Sequence, residues 1–460
     1  MTSLRKWLNT SWATIKAGLQ LGDSRTGATL AQRFVHGSFW SLVGAVGAQG
    51  LTLVASMLTA RLLGKESFGE FSFLQGTVAT AATFVGFGLG LTATRYVAGF
   101  RQENPQRAAS LIRFVMTFAS VVSAAASAIM ALGAPYLAVH LFHLASLSGS
   151  IRWAALYLFC VTVNGVQTGV LAGFESFRAV ANVNITRGVA TLLLTVPLVM
   201  LWHIEGAFAA MGLAGCLAYG MSVFQVAAAT KAHGFPKSRT MDWGHAKVLW
   251  TFSLPAVLAG ILVTPVTWVV SLWLSQQPNG YGELGLFGAA NQWRIIVYFI
   301  PLTLCQPLVP LLTSLAVERN RTYNRILASS ILLTTVLSAA VSAVVIIGMP
   351  VISRFYGKGY ADLNRVLMPL MLAAVLATAY STIAMALASQ ERMWTSAILN
   401  LFWACTLLLV SHYAIPLAGA QGLAYSFVSA QLVLLCTSLY CVFFKGTSSA
   451  IGRCGQRVAD

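Results

Sequence analysis

Arg294 is the charged residue that lies well inside an apolar stretch of this chain, and it sets the chemical question. A cation at that depth costs at least ~2.5–3.5 kcal/mol on insertion scales, so its position calls for a partner. The planar guanidinium presents a fork of donors suited to paired anionic oxygens. Asn291 stands one helical turn earlier and shares the same face. The competing reading is that Arg294 snorkels or donates to carbonyls of a neighbouring helix. Arg95, Arg61 and Arg187 fall at the ends of apolar segments. They fit either a cationic track for an anionic ligand or ordinary interfacial anchors. Asn164, Gln167 and Gln49 are amides inside apolar segments that could bind a hydroxyl-rich ligand or hold helices together. His140 and His143 have a spacing that permits a shared metal. With no acidic residue or third histidine nearby, an interfacial pair is the better account, and neither a metal nor a cofactor is expected.

The twelve Asp and Glu residues all fall in loops or at the ends of apolar segments. Buried carboxylates are what a transporter of cations would need, both to hold the cation and to carry a proton. No Ser/His/Asp set, phosphate-cradling glycine loop or metal cluster is present, and the loops are too short for a folded catalytic domain. An enzyme is therefore not expected.

These residues must be positioned by helices in a bilayer. Apolar residues make up 57% of the chain and charged ones 9%, too few charges to solvate the surface of a soluble protein of this size. A net charge of +17 suggests nucleic acid until its distribution is seen: the basic residues sit in short runs between apolar segments, and no basic stripe interleaves with stacking aromatics. A span takes ~20 mostly apolar residues. Twelve are predicted, at 36–60, 72–94, 114–138, 153–173, 188–203, 206–230, 248–274, 286–312, 327–349, 367–388, 394–415 and 418–444. Of the 29 Lys and Arg residues, 22 lie in one alternate set of loops and termini and six in the other, which puts both termini in the cytoplasm.

The chain divides into a basic N-terminal segment, 1–33, either amphipathic on the membrane surface or disordered; a first six-span unit, 34–230; a linker, 231–247; a second six-span unit, 248–444; and a tail, 445–460. The seven cysteines have no C-x-x-C spacing and read as small buried hydrophobes.

The two units look alike. Leu171-Ala-Gly-Phe-Glu-Ser-Phe-Arg178 matches Leu387-Ala-Ser-Gln-Glu-Arg392. Glu205-Gly-Ala-Phe-Ala209 matches Ala418-Gly-Ala-Gln-Gly422, and Phe68-Gly-Glu-Phe71 matches Leu284-Gly-Leu-Phe287. Three matches in order, at nearly one offset, indicate a duplicated unit. Each unit has an even number of spans, so the repeat is parallel, and two such lobes can enclose a cavity between them. Pro255, Pro265, Pro301, Pro307 and Pro310 mark helices that can bend. The expected fold class is an all-α polytopic membrane protein of about 12 transmembrane helices in two pseudo-symmetric six-helix lobes.

The run Thr59-Ala-Arg-Leu-Leu-Gly-Lys-Glu-Ser-Phe-Gly-Glu-Phe71, followed by Gly86-Phe-Gly-Leu-Gly-Leu-Thr-Ala-Thr-Arg-Tyr-Val-Ala98, resembles the start of the bacterial polysaccharide transporters. These include the O-antigen (Wzx-type) flippases and share a superfamily with MATE drug exporters and lipid II flippases. Gly285-Leu-Phe-Gly-Ala-Ala290, Phe355-Tyr-Gly-Lys-Gly-Tyr360 and Gly419-Ala-Gln-Gly-Leu-Ala424 extend the likeness, which covers about Arg33 to Phe444. The resemblance implies a V-shaped, MATE-like pair of lobes in the bacterial inner membrane, working by alternating access. It implies a polyprenyl-pyrophosphate-linked glycan as substrate, with undecaprenyl as carrier, for O-antigen, capsule or exopolysaccharide. A coupling ion (proton or sodium), membrane lipids and polysaccharide polymerase or chain-length machinery are the partners it suggests, and nucleic acid is not among them. Arg294, Asn291 and the other arginines would then meet the pyrophosphate, and the amides the sugars. A multidrug exporter of the same fold is the alternative, disfavoured by the missing membrane carboxylates.

Overall fold

The computed structural model describes residues 24–103, 105–232, 234, 262–305, 321–389 and 393–441. The N-terminal 23 residues, most of the linker, the start of the seventh span and the tail, with Pro255, Pro307 and Pro310, lie outside the described residues. What is described is helical throughout: α1 Ser24–Gly86, α2 Leu89–Glu103, α3 Pro105–Leu132, α4 Ala134–His140, α5 Ser148–Gly173, α6 Phe177–Ala232, α7 Val263–Ser275, α8 Gly280–Cys305, α9 Arg321–Ile347, α10 Met349–Tyr356, α11 Leu363–Ser389 and α12 Met393–Leu439. Hydrocarbon offers no partner for backbone N–H and C=O groups, so an apolar chain satisfies them within helices.

Seven of the described helices are long and apolar enough to cross a membrane. Three of them are too long for one crossing. The 56 residues of α6 would span ~84 Å if straight, against a hydrocarbon core of ~30 Å. Each of the three contains a backbone break: Gly64 in α1, Trp202–His203 in α6 and Gly419 in α12. In α6 the chain doubles back, so that a Cβ added at Gly206 would strike the carbonyl of Leu198. Gly422 and Ala414 repeat that contact in α12.

The breaks carry the internal repeat into the backbone. His203 has φ 48°, ψ −125°; Gly419, 216 residues later, has φ 54°, ψ −129°. Gly133 and Gly348 each end a long helix, and each is followed by a short helix with proline in its first two positions, α4 and α10.

The sequence-based span limits need several corrections. The loop expected at 61–71 is helical apart from Gly64. The second span is interrupted at Phe87 and Gly88, both with positive φ, and resumes as α2. The third begins at Pro105 rather than 114 and stops at Leu132. Pro135 sits in the first positions of a separate helix because it has no N–H to contribute to a continuing one.

The first arm of α1 packs on α6, with Gly44 against Ala181 and Leu51 against Gly188. Its second arm packs on α8. The principal core therefore mixes residues from both halves, including Phe68, Phe71, Leu74, Val270, Leu274, Leu284 and Phe287. Large apolar side chains such as Leu132, Ile347 and Leu417 point outward, as lipid-facing residues do. Of the described cysteines only Cys160 is buried, whereas Cys216, Cys405 and Cys436 are exposed. The small-hydrophobe reading stands for packing but not for burial, since lipid tolerates a thiol on the outside.

Candidate functional site

Helix α8 starts at Gly280 and carries Arg294 fourteen residues on, about 21 Å along its axis. Asn291 and Arg294 are three residues apart on one face, and Arg294 Nε donates to Asn291 Oδ1 at 2.7 Å. The guanidinium carbon lies 5.1 Å from the ring centroid of Phe427 on the second arm of α12. Phe427 is buried and braced by Phe287 and Trp403. The ring attracts the cation without consuming a donor. One guanidinium N–H is used by Asn291, and among the described residues the other donors have no hydrogen-bond partner. Among the described residues the ion pair seen is Arg365–Asp362, at the surface, so Arg294 is held by an amide and an aromatic face rather than by a carboxylate.

A polar chain continues from there. Tyr298, one turn further on α8, lies beside Arg294 and Ser381 of α11. Tyr380, next to Ser381, donates to Asn400 Oδ1 on α12 at 3.2 Å. Tyr298, Tyr380 and Asn400 are half-buried, as are Arg294 and Asn291. Sequence reasoning missed Tyr298, Tyr380, Asn400 and Phe427. Tyr298 was open to discovery from its i, i+4 relation to Arg294; the others approach Arg294 only through helix packing. The buried hydroxyls nearby have a different role. Thr334 pairs with Thr382 at 3.0 Å, and Thr378 donates to Ser338 at 3.1 Å, tying α9 to α11.

The structure separates the other candidate residues. Arg187 is half-buried ten residues into α6, about 15 Å from Phe177, instead of at the opening of a span. It stands at a depth comparable to Arg294 when each is measured from the helix breaks at His203 and Gly280. Arg95 is exposed in mid-α2 rather than closing a span, because the helix restarts at Leu89. Arg61 is exposed on the last turn before Gly64. Gln49 is half-buried on the first arm of α1. Asn164 is buried between helices and donates to the Ala218 carbonyl at 3.5 Å, which ties α5 to α6. Gln167 is fully buried, with neither amide atom hydrogen-bonded. His140 turns to its own helix, with Nδ1 3.1 Å from the Tyr136 carbonyl and its ring stacked on Tyr136, rather than to His143.

Among the described residues, the two halves come into close backbone contact where the second arm of α1 meets the start of α8. A Cβ at Gly69 would collide with the Tyr281 carbonyl, and one at Gly285 with the Lys65 carbonyl. Only glycine lets the two backbones approach this far. Tyr281 Oη donates to the Phe142 carbonyl at 2.7 Å, and Trp268 Nε1 to Thr77 Oγ1 at 2.9 Å. Tyr360 Oη reaches the Ala60 carbonyl at 3.4 Å. Glu283 accepts from the Ala420 N–H at 2.9 Å and so caps the break at Gly419. Every described carboxylate lies within two turns of a helix end or break: Glu66, Glu70, Glu175, Glu205, Glu283 and Asp362.

Comparison with known proteins agrees with this architecture. The family described as "Polysaccharide biosynthesis protein" matches residues 34–316. The EPS I polysaccharide export inner membrane protein EpsE of Ralstonia solanacearum is 26% identical over 435 residues, covering 92% of this chain and 96% of the relative. Among solved structures, an inward-facing multidrug resistance MATE family transporter of the MOP superfamily has a TM-score of 0.71 at 14% identity, covering 88% of this chain and 96% of its own. The lipid II flippase MurJ, in an inward closed conformation, has a TM-score of 0.70 at 14% identity, covering 87% and 86%. At these identities the solved structures establish the fold alone.

Proposed function

Because this chain belongs to the polysaccharide biosynthesis protein family, we propose that it is a flippase that moves an undecaprenyl-pyrophosphate-linked oligosaccharide across the bacterial inner membrane. The observation that carries the reading is Arg294: a half-buried guanidinium at mid-depth, oriented by Asn291 and Phe427, with no carboxylate among the described residues to neutralise it. Uncompensated positive charge in a low-dielectric place favours a phosphorylated head group and repels a drug cation. Arg187, at similar depth in the first half, is the second cation proposed to face that head, and Asn291 is the positioning residue for the fork. Arg95 and Arg61 would guide the anionic head at the two mouths. Gln49 would contact sugar. Asn164 is better explained as a tie between helices, whereas Gln167 is fully enclosed with neither amide atom hydrogen-bonded.

The proposed topology has twelve crossings in two six-helix lobes, with both termini in the cytoplasm. Ten crossings correspond to the seven long apolar helices, three of them broken in two, and α7 and α8 supply the others. The end closed by Gly69 and Gly285 then faces outward, and the conformation is inward-facing. Support comes from the tightness of that closure. The export role of the EpsE relative points the same way, to transport across the inner membrane rather than catalysis. The prenyl tail would stay in lipid while the head crosses between the lobes.

The test is genetic. Deleting the gene should abolish the surface polysaccharide and leave sensitivity to cationic dyes unchanged, and a copy carrying Arg294→Ala should fail to restore it while still inserting at wild-type levels. Heightened dye sensitivity with intact polysaccharide would favour the multidrug alternative and remove this reading. Full restoration by the Arg294→Ala, Arg187→Ala double variant would remove the cationic site.

A further inference from the structure

A second cleft lies away from Arg294, at the end of the molecule where the halves are sealed. It is formed where the C-terminus of α7 meets the first arm of α12, has a volume of about 210 Å³, and is lined by Trp273, Gln276, Gln277, Ser411, His412 and Pro416, with Ile415. We propose that this cleft is a saccharide-binding site that takes one uncharged sugar ring of the exported glycan, an assignment that rests on the polysaccharide reading above.

The lining supplies what a pyranose needs. A sugar ring offers a C–H face to an aromatic plate and a rim of hydroxyls that both donate and accept. Trp273 is the plate, held by an edge-on contact with His412 at 5.7 Å and 70°. The rim is matched by groups the fold leaves unspent. Ser411 is fully buried, and its Oγ has no hydrogen-bond partner although it lines the cavity. A buried hydroxyl in that state is unfavourable, and a ligand hydroxyl would remove the cost. Pro416 has no N–H, so the His412 carbonyl one turn earlier loses its helical donor and is open to another. Gln276 ends α7 with its backbone N–H bonded to the carbonyls of Leu272 and Leu274, which leaves the side-chain amide uncommitted to the turn. Gln277 Nε2 makes only a long contact, 3.5 Å, with the Trp273 carbonyl.

What the lining lacks is also informative. No Asp, Glu, Lys or Arg contributes to it, so it does not suit the pyrophosphate head or a coupling cation. The volume is below the ~300–1,000 Å³ of clefts for drug-sized ligands and limits the occupant to about one ring. The cleft lies near the start of α8, about 21 Å along that helix from Arg294. A glycan whose head is held at Arg294 would therefore meet this cleft with a distal sugar once the closed end opens, or after release on that side. A tryptophan at a membrane interface can also be a plain anchor, which makes binding the deciding measurement.

The full chain in nanodiscs would be titrated with lipid-free, phosphate-free oligosaccharides released by mild acid from the surface polysaccharide of the source bacterium. Binding would be followed by saturation-transfer NMR. Wild type should bind saturably, Trp273→Ala should weaken binding roughly tenfold or more, and Trp273→Tyr should restore most of it. Gln276→Leu, at an exposed position that tolerates the change, should weaken binding several-fold and covers the case in which Trp273→Ala does not fold. No saturable binding to wild type, or equal binding to wild type and Gln276→Leu, would overturn the site. The export reading is judged separately, by whether the deletion strain loses its polysaccharide, so either can fail without the other.

Discussion

At the scale of single residues, Arg294 shows how a half-buried charge is held with no counter-ion among the described residues. Asn291 takes one N–H and Phe427 takes the face, and both leave the charge unneutralised. Geometry matters as much as sign. Lysine keeps the charge but not the planar fork, so Arg294→Lys should leave polysaccharide output well below wild type yet above Arg294→Ala, read as surface glycan per cell at matched protein levels. Asn291→Leu removes the orienting acceptor and should lower output several-fold without affecting insertion. A second residue-scale expectation concerns the break in α6. His203 holds a backbone conformation that its counterpart Gly419 adopts without strain. His203→Gly should stabilise the protein by about 1 kcal/mol, seen as a higher melting temperature in detergent. Gly419→Ala should do the reverse, since its Cβ would lie 2.7 Å from Glu283 Oε2 as well as straining the backbone.

At the scale of elements, helices here are joined by small residues and hydroxyl bonds, because lipid gives little hydrophobic drive for apolar helices to associate. Helix α5 presents Gly165, Gly169 and Gly173 at four-residue intervals to α2. Thr94 donates to the Gly169 carbonyl at 3.0 Å, and a Cβ on Gly169 would run into the backbone of Gly90. Gly169→Leu should therefore separate α2 from α5 and cut folded yield severely, whereas Gly99→Leu, which meets nothing within 4 Å, should be silent. Detergent-stable protein measured by fluorescence size-exclusion chromatography would distinguish them. Equal yields would mean that the close approach is not required.

At the scale of the whole molecule, the proposed transport cycle would require the contact between α1 and α8 to open. Ser72 and a Cβ placed on Gly288 lie within 3.0 Å, Cβ to Cβ, a little inside the range of a disulfide. A Ser72→Cys, Gly288→Cys pair in a Cys160→Ala background should oxidise readily and stop export, and a reductant should restore it. The Cys160 change is needed because that thiol already lies 3.6 Å from Cys216 and would cross-link on its own. Export undiminished by a complete cross-link would show that this closure does not move during the cycle.

The sequence by itself determined the membrane class, the helical content and the duplication, because each rests on patterns that survive without coordinates: apolar runs of bilayer length, lysines and arginines concentrated in alternate loops, and glycine-bearing motifs repeated at nearly one offset. Arg294 and Asn291 were legible for the same reason, since a charge in an apolar run is visible in one dimension and so is its neighbour three residues away. Tertiary structure alone decided that Phe427, Tyr380 and Asn400 join them, that Arg187 is half-buried well inside its helix while Arg95 is exposed, that the expected loop at 61–71 is helical apart from Gly64, and that the second span breaks at 87–88. Those facts depend on which helix faces which, and on backbone turns at single residues such as Gly64 and Phe87. Hydropathy averages over about twenty positions and cannot register a turn made by one.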